Sequence, residues 1–166
     1  MSQINLRALK KSDSDLILNW MKNDKLRYLI GTTFPITELE HENWFQNRML
    51  EKDNRIFVIE LENETAIGIV GFKNLDWINS NSELFIYIGD ENYWGKGYGK
   101  EALKLLINFA FNSLNLHMLY LEVFSYNENA TKMYEKLGFK QDGILRQSKY
   151  QDGQYYDKII MSKINE

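Results

Sequence analysis

Three glycines at alternate positions make residues 93–100 the segment of this chain best suited to holding a ligand. The segment reads Tyr-Trp-Gly-Lys-Gly-Tyr-Gly-Lys. An alternating apolar pattern at 84–88 predicts a strand just before it, and a helical pattern opens at Glu101 just after it. A glycine-rich turn ahead of a helix exposes backbone N–H groups at the positive end of the helix dipole. The segment therefore predicts a phosphate site, with a ligand-free connector as the alternative.

Two nucleotide-binding motifs do not fit this segment. A Walker loop requires Ser or Thr after Gly-Lys, and here Glu101 follows Lys100. A dinucleotide-binding fingerprint requires a third glycine where this chain has Lys100. The strands before the segment are also closely spaced, which predicts antiparallel pairing.

Composition excludes several classes of function. The 166 residues are 44% hydrophobic and 26% charged, as expected for one soluble domain spanning 1–166. The net charge of −3 argues against a nucleic-acid binder. No apolar run is long enough to span a membrane, and residues 1–5 do not resemble a signal peptide, so we expect a cytoplasmic protein. The absence of cysteine excludes thiolate metal sites and a cysteine nucleophile, and the lone His41 and His117 form no metal-ligand pattern.

The first half of the chain predicts one strand, two helices and three strands. Ser12 or Asp13 can cap a first helix, and Thr37 with Glu40 forms a capping-box pattern that opens a second helix through about Met49. The predicted strands are 4–9, 55–61, 66–72 and 82–88.

The second half predicts a helix, a strand, a helix and two strands. The helix after the glycine segment leads to a strand at 118–124, which we expect to run parallel to strand 82–88 through a right-handed crossover. A helix at 127–137 ends before Gly138, and strands near 139–146 and 155–162 finish the chain. This order predicts an α+β fold on one mixed sheet.

Two motifs together resemble those of the GNAT acetyltransferase superfamily. The second motif is Asn127-x-Asn129-Ala130-x-x-x-Tyr134-Glu135-Lys136-Leu137-Gly138-Phe139, and the glycine segment resembles the first, with Gly97 and Gly99 in its two glycine positions. Trp94 departs from the usual Gln or Arg. An aromatic-Gly-Lys-Gly form and the tail at 142–157 are similar to the branch that holds ribosomal-protein N-terminal and polyamine acetyltransferases.

The resemblance covers nearly the whole chain and implies acetyl-CoA as co-substrate, without a metal. It implies a mostly antiparallel sheet of about seven strands, with one splayed parallel pair and about four flanking helices. Backbone groups at the splay can bind the pantetheine amides as an added strand does. The cofactor-binding residues that it implies are Ile86, Tyr87, Ile88, Trp94, Gly95, Lys96, Gly97, Tyr98, Gly99, Lys100, Asn127 and Lys136.

Two residues are candidates for catalysis of acetyl transfer to an amine. Tyr134 occupies the tyrosine position of the second motif, which implies a general acid for the departing thiolate, whereas its spacing alone indicates a core aromatic. Glu83 begins the strand before the glycine segment and shares a face with Phe85 and Tyr87. It is either the general base, directly or through water, or a solvated strand-end charge. A third possibility is that the protein only positions an amine that is already deprotonated, in which case no general base is needed.

The acceptor and the partners stay open at this point. The resemblance is compatible with a polyamine, the N-terminal amine of a ribosomal protein or an amino sugar. Carboxylates at Glu38, Glu40, Glu42, Glu51 and Asp76 either form an acidic mouth that favours a polyamine or belong to ordinary solvated surfaces. A non-catalytic acyl-CoA sensor is the alternative outside enzymology.

The C-terminal strands also leave two interpretations. Many members of the family dimerise through these strands. Tyr155, Tyr156, Ile159 and Ile160 are compatible with such a homodimer or with a strand inside the sheet.

Overall fold

The computed structural model describes residues 4–166, and Met1–Gln3, the start of the segment compared with a signal peptide, lie outside the described residues. Seven strands form one sheet in the order β1-β2-β3-β4-β5-β7-β6. Every neighbouring pair is antiparallel except β4 and β5, which run parallel. The strands are β1 (Ile4–Ala8), β2 (Arg55–Leu61), β3 (Ala66–Asp76), β4 (Asn81–Ile88), β5 (Met118–Phe124), β6 (Lys140–Gln151) and β7 (Gln154–Ile164).

Within the described residues, five α-helices flank the sheet. They are α1 (Ser14–Trp20), α2 (Asp24–Ile30), α3 (Glu38–Leu50), α4 (Tyr98–Asn108) and α5 (Glu128–Lys136). A wider π-helical turn, Phe109–Ser113, extends α4. The predicted α+β fold, mixed sheet and parallel pair are confirmed.

The two faces of the sheet carry separate apolar cores. On the face that we call the α4/α5 face, Leu103, Leu106 and Ala110 pack with Tyr134 and the buried side chains of the strands. On the other, the α1–α3 face, Ile17, Trp20, Leu26 and Phe45 pack against the sheet. Each fully buried aliphatic side chain contributes about 1.5–3 kcal/mol of transfer free energy, so both cores hold helices firmly on the strands.

The sequence reading omitted α2. Its signals are nevertheless local: the Asn23 side chain accepts hydrogen bonds from the N–H groups of Lys25 (2.9 Å) and Leu26 (3.2 Å), and Gly31 ends the helix with a φ of 78°. Asn and Gly are the residues expected at those two cap positions. Seven residues are too few for a clear apolar stripe, which is why periodicity missed the helix.

Helix α3 forms as predicted. The Thr37 hydroxyl accepts from the Glu40 N–H at 3.2 Å, and the Glu40 carboxylate accepts from the Thr37 N–H at 2.9 Å. These reciprocal bonds satisfy two N–H groups that a helix start leaves without partners.

Candidate active site

Strands β4 and β5 start side by side and then separate. Their shared register runs from Asn81↔Met118 to Glu83↔Tyr120 and stops there, although β4 continues to Ile88 and β5 to Phe124. A gap therefore opens through the sheet beyond Glu83, between the two strands. This is the parallel pair that the sequence pattern predicted, with the splay that the family resemblance implied.

Backbone groups of β4 face this gap. The Gly89 N–H donates to the Ile67 carbonyl of β3 at 2.8 Å. Because hydrogen bonding alternates along a strand, the N–H and C=O groups of Ile86 and Ile88 point the other way, toward β5. The Trp94 indole N–H donates to the Ile88 carbonyl at 2.7 Å, which agrees with that direction. The Ile86 N–H and C=O and the Ile88 N–H can therefore bind an extended ligand that carries amides.

A cleft of about 710 Å³ surrounds the gap. It brings together both predicted catalytic residues and every predicted cofactor-binding residue except Lys96, whose ammonium lies 5.7 Å from the centre of the Tyr93 ring. The predicted residues that line it are Glu83, Ile86, Tyr87, Ile88, Trp94, Gly95, Gly97, Tyr98, Gly99, Lys100, Asn127, Tyr134 and Lys136.

The glycine segment gives the cleft its anion-binding end. Gly95 and Gly97 have φ values of 70° and 88°, and α4 begins at Tyr98, three residues before the predicted start. The Glu101 N–H already bonds the Gly97 carbonyl at 3.1 Å, whereas N–H groups in the first turn have no acceptor within the helix. These groups and the helix dipole fit a diphosphate.

Gly99 keeps the space beside this helix start open. A Cβ built on Gly99 would lie 3.7 Å from the Met133 sulfur and 3.9 Å from side-chain carbons of Ile86 and Ile88. The missing side chain therefore faces the space between β4 and α5. A ligand lying along the gap can approach the α4 backbone closely at this point.

Trp94 has a structural contact that the sequence did not reveal. Its only polar group bonds the Ile88 carbonyl, and its ring packs with the core of the α1–α3 face. The indole thus ties the glycine segment to the end of β4. This use of the side chain explains how the chain tolerates an aromatic residue where the family motif has Gln or Arg.

Asn127 has one side-chain atom committed to the fold. Its Oδ1 accepts from the Ala130 N–H at 3.3 Å and so caps α5. The Nδ2 group is the part of the side chain that can donate to a ligand in the cleft. The predicted hydrogen bond to the CoA arm would therefore have to come from this amide nitrogen.

Tyr134 lies at the floor of the cleft on the α4/α5 face. It is 8% exposed and packs edge-on against Phe139, with ring centres 6.0 Å apart. Burial raises the pKa of its hydroxyl to about 12, so this group is protonated at neutral pH. Within residues 4–166, every completely buried polar side-chain atom has a hydrogen-bond partner. The Tyr134 hydroxyl has no such partner in that range, so it is not completely buried, and Tyr134 lines the cleft. The geometry is compatible with both interpretations of the sequence: the ring packs in the core, and the hydroxyl is accessible from the cleft.

Glu83 lies across the gap on the α1–α3 face. Its carboxylate accepts from the Asn74 side-chain amide at 3.2 Å and lies 3.9 Å from the Lys73 ammonium. The side chain is 18% exposed, so it is not a freely solvated strand-end charge. Tyr120 of β5 lies opposite Glu83 in the strand register, and burial together with the nearby Glu83 carboxylate raises the pKa of its hydroxyl.

Most cleft residues on the α1–α3 face were missed by the sequence reading. Helix α2 supplies Leu26, Leu29 and Ile30, and the strands supply Lys73, Phe85, Glu122 and Phe124. Alternation along β4 and β5 could have identified Phe85, Glu122 and Phe124 as neighbours of the gap. The α2 residues carry no such signal, because only the tertiary packing brings them to the cleft.

The predicted acidic mouth is not formed. None of Glu38, Glu40, Glu42, Glu51 and Asp76 lines the cleft. Glu40 serves the α3 cap, Glu51 pairs with Arg48, and Asp76 accepts from Asn79. His41 likewise does not line the cleft and is buried, with Nε2 2.9 Å from the Ser14 carbonyl.

Two other kinds of site are absent from residues 4–166. None of the helices in that range combines the length and the apolar character needed to cross a membrane. Over the same range, no three His, Asp or Glu side chains converge on a position suitable for a metal ion.

Comparison with known families identifies the fold and its activity. The family model described as "Acetyltransferase (GNAT) domain" matches residues 3–140. The chain belongs to the GNAT acetyltransferase family. GNAT enzymes use acetyl-CoA, and the chain is accordingly an N-acetyltransferase.

Curated and solved relatives extend the similarity to the full length. The chain is 30% identical over 157 residues to a spermidine N(1)-acetyltransferase from Vibrio cholerae, covering 94% of this chain and 90% of the relative. A crystal structure of spermidine N-acetyltransferase from Vibrio cholerae with CoA and spermine matches with a TM-score of 0.90 at 28% identity, covering 98% of this chain and 95% of that one. A dodecameric structure of the same enzyme matches with a TM-score of 0.83 at 28% identity, covering 98% and 94%.

Proposed function

We propose that this N-acetyltransferase acetylates a primary amine of a small polyamine. One observation carries the proposal: the gap between β4 and β5 connects two chambers of different chemistry. The chamber on the α4/α5 face has backbone donors and a helix N-terminus. The chamber on the α1–α3 face has aromatic and aliphatic walls with two carboxylates.

The donor acetyl-CoA is expected on the α4/α5 face. First-turn N–H groups of α4 would hold its diphosphate, and the β4 backbone at Ile86 and Ile88 would hold its pantetheine amides. Lys100 and Lys136 line the same cleft and supply positive charge for phosphate groups. Bound in this way, acetyl-CoA supplies an activated acyl group at the gap.

Tyr134 and Glu83 would manage the two protons of the reaction. The protonated Tyr134 hydroxyl would donate to the departing sulfur, and its raised pKa keeps the proton available at neutral pH. Glu83, on the opposite face, would accept the proton of the attacking amine, directly or through water. The amine attacks the thioester directly, because the chain has no cysteine to form an acyl-enzyme.

Three features support a polyamine as the acceptor. The relatives described above include spermidine acetyltransferases over the full length. Leu26, Ile30 and Phe124 offer apolar surface to a polymethylene stem. Glu122 can bind a remaining ammonium group in competition with Lys158, whose ammonium lies 2.9 Å from its carboxylate. A peptide N-terminus or an amino sugar would need more hydrogen-bonding groups than these apolar walls provide.

The test is the release of free CoA thiol, read with a thiol-reactive dye. The absence of cysteine means that the protein adds no background to this signal. The panel contains spermidine, spermine, an alanine N-terminal peptide, glucosamine and a nucleotide-linked amino sugar. We expect kcat/KM for spermidine to exceed that for the peptide and the sugars by about tenfold or more, because each unmatched polar group costs about 1–3 kcal/mol.

The other outcomes separate the alternatives. A preference for the peptide or a sugar would overturn the polyamine proposal and leave the acetyltransferase activity intact. Thermal stabilisation by acetyl-CoA without turnover on any amine would indicate a sensor. Saturating ligand at 100 times its Kd should stabilise the fold by about 2.7 kcal/mol.

We also infer that the chain self-associates. Strand β7 lies between β5 and β6, so the residues at 155–160 that were considered for dimerisation belong to an internal strand. The edge strand β6 exposes Ile144 (45%) and Leu145 (46%), and a similar enzyme is dodecameric. Light scattering coupled to gel filtration tests this, and a monomer at micromolar concentration would contradict it.

A further inference from the structure

Two side chains from the second half of the chain hold the last turn of α2. The Tyr126 hydroxyl donates to the Tyr28 carbonyl at 2.7 Å, across 98 residues of sequence. The Lys149 ammonium donates to the Gly31 carbonyl at 2.9 Å, across 118 residues, and lies 3.3 Å from the Thr33 hydroxyl. We call this pair, Tyr126 and Lys149, the α2 latch.

An irregularity in β6 aims Lys149 at this position. The register between β6 and β7 shifts between Leu145 and Lys149, and Gln147 has a φ of 50°. The Gln147 N–H donates to the Asp157 carboxylate at 2.8 Å, and the Asp157 N–H donates to the Ser125 hydroxyl at 3.2 Å. Such bulges redirect side chains and are common beside functional sites. Here the redirected side chain reaches from the edge of the sheet to α2.

Phe124 links the latch to the cleft. Its ring centre is 5.5 Å from the Lys149 ammonium, and a Cβ on Gly31 would lie 2.3 Å from a ring carbon, so the end of α2 packs directly on the ring. Phe124 is also a wall of the cleft, and Leu26, Leu29 and Ile30 of α2 line the same chamber. The separation between α2 and Phe124 therefore sets the width available to the acceptor.

We propose that Lys149 is a positioning residue for the amine acceptor and contributes nothing to holding acetyl-CoA. It fixes the C-terminal end of α2 against Phe124 and so shapes the acceptor chamber. The proposal rests on the proposed function in one respect, namely that the amine enters from the α1–α3 face. Lys149 itself is absent from the cleft lining, so its effect on the amine is indirect.

The chemistry of the contact favours a cation. The last carbonyls of a helix lack intrahelical donors and lie at the negative end of its dipole. A lysine there satisfies the Gly31 carbonyl and is attracted to the dipole as well as to the Phe124 ring. Replacement by an apolar side chain of similar length removes all three interactions while keeping the aliphatic packing.

The experiment compares Lys149→Met with Lys149→Arg, which keeps a cation and its donors. Lys140→Met, at an exposed position of the same strand, is the matched control. We expect Lys149→Met to raise KM for the amine about tenfold, as for loss of a charged hydrogen bond, with kcat and KM for acetyl-CoA within about twofold. Lys149→Arg should restore most of the wild-type KM, and Lys140→Met should match the wild type.

Hydrogen exchange of the wild type and the variants gives a readout that needs no substrate. Amides of peptides covering 24–33 should exchange about tenfold faster in Lys149→Met, whereas those of α4 should not change. Unchanged exchange at residues 24–33 would show that Lys149 does not hold α2 in place, whatever amine the enzyme uses. Faster exchange with an unchanged KM for the amine, or an equal rise in KM for acetyl-CoA, would overturn the acceptor role.

Failure of the proposed function gives a different pattern. A wild-type protein that acetylates no amine of the panel removes the acceptor role as well, and the exchange data still decide whether Lys149 holds α2.

Discussion

The two chambers that meet at the gap are built from different parts of the chain. The chamber on the α4/α5 face comes from one stretch that runs from β4 through the glycine segment to α5. The chamber on the α1–α3 face combines α2, β3, β4 and β5, and its α2 wall is held by Lys149 from β6. The first chamber is therefore a local product of sequence, and the second depends on long-range packing.

The difference extends to the groups that do the binding. The α4/α5 chamber offers mostly main-chain N–H and C=O groups, which are the same for every sequence that folds this way. The α1–α3 chamber offers side chains, such as Phe85, Phe124 and Leu26, whose size and charge depend on the sequence. Such a division allows one donor site to serve many acceptors.

The largest expected effect tests the chemistry at the gap itself. Tyr134→Phe should keep the fold, because the ring retains its contact with Phe139, and should lower kcat about 100-fold or more through loss of the proton donor. Steady-state kinetics with the thiol assay measures this, and Tyr150→Phe in the exposed hairpin is the control. Near-wild-type turnover of Tyr134→Phe would remove Tyr134 from the mechanism.

A substitution that adds bulk should damage the α4/α5 chamber alone. A Cβ at position 99 makes only ordinary contacts with Met133, Ile86 and Ile88, and the methyl groups of Gly99→Val extend into the space between β4 and α5. The variant should therefore fold and bind CoA about 30-fold more weakly. Titration calorimetry gives the Kd, and Gly143→Val, at an open position of β6, is the matched control. Unchanged CoA affinity in Gly99→Val would place the coenzyme elsewhere.

Unfolding at alkaline pH tests how strongly the Tyr134 hydroxyl is buried beside the gap. The pKa of Tyr134 is raised to about 12, so above pH 10 the unfolded chain releases this proton while the folded protein keeps it. The unfolded state then binds fewer protons, and the free energy of unfolding falls as pH rises. The loss from this residue is about 2 kcal/mol by pH 12. Between pH 9 and pH 12, the free energy of unfolding measured with urea should fall less for Tyr134→Phe than for the wild type. An equal fall in the two proteins would mean that the hydroxyl is solvated.

The smallest expected effect separates two carboxylates on the α1–α3 face. Glu83→Gln should lower kcat about tenfold at neutral pH, because the amide keeps the size but cannot accept the amine proton. Glu122→Gln should instead raise KM for a polyamine, because Glu122 lies farther along β5 and can only pair with a distant ammonium. Full pH profiles of kcat and kcat/KM distinguish the two. If Glu83→Gln changes KM alone, the amine arrives neutral and no base is used.

Several elements could be predicted because their signals lie in consecutive residues. The α3 capping box, the apolar alternation of β4 and the glycines at 95 and 97 each act within a few positions. The start of α4 was predicted three residues late. Glycine disfavours helix by about 1 kcal/mol, so Gly97 and Gly99 obscure the first turn of α4 in the sequence pattern.

The sequence by itself determined the order of the strands along the chain and the parallel pair, and its family resemblance pointed to the residues from β4 to α5 that line the α4/α5 chamber. Only the tertiary structure decided that α2 lines the cleft, that Trp94 bonds the Ile88 carbonyl, and that Lys149 reaches Gly31 across 118 residues. The physical reason is range. Hydrogen bonds along a turn or within a helix depend on neighbours in sequence, whereas the α1–α3 chamber depends on how separate helices and strands pack against one another.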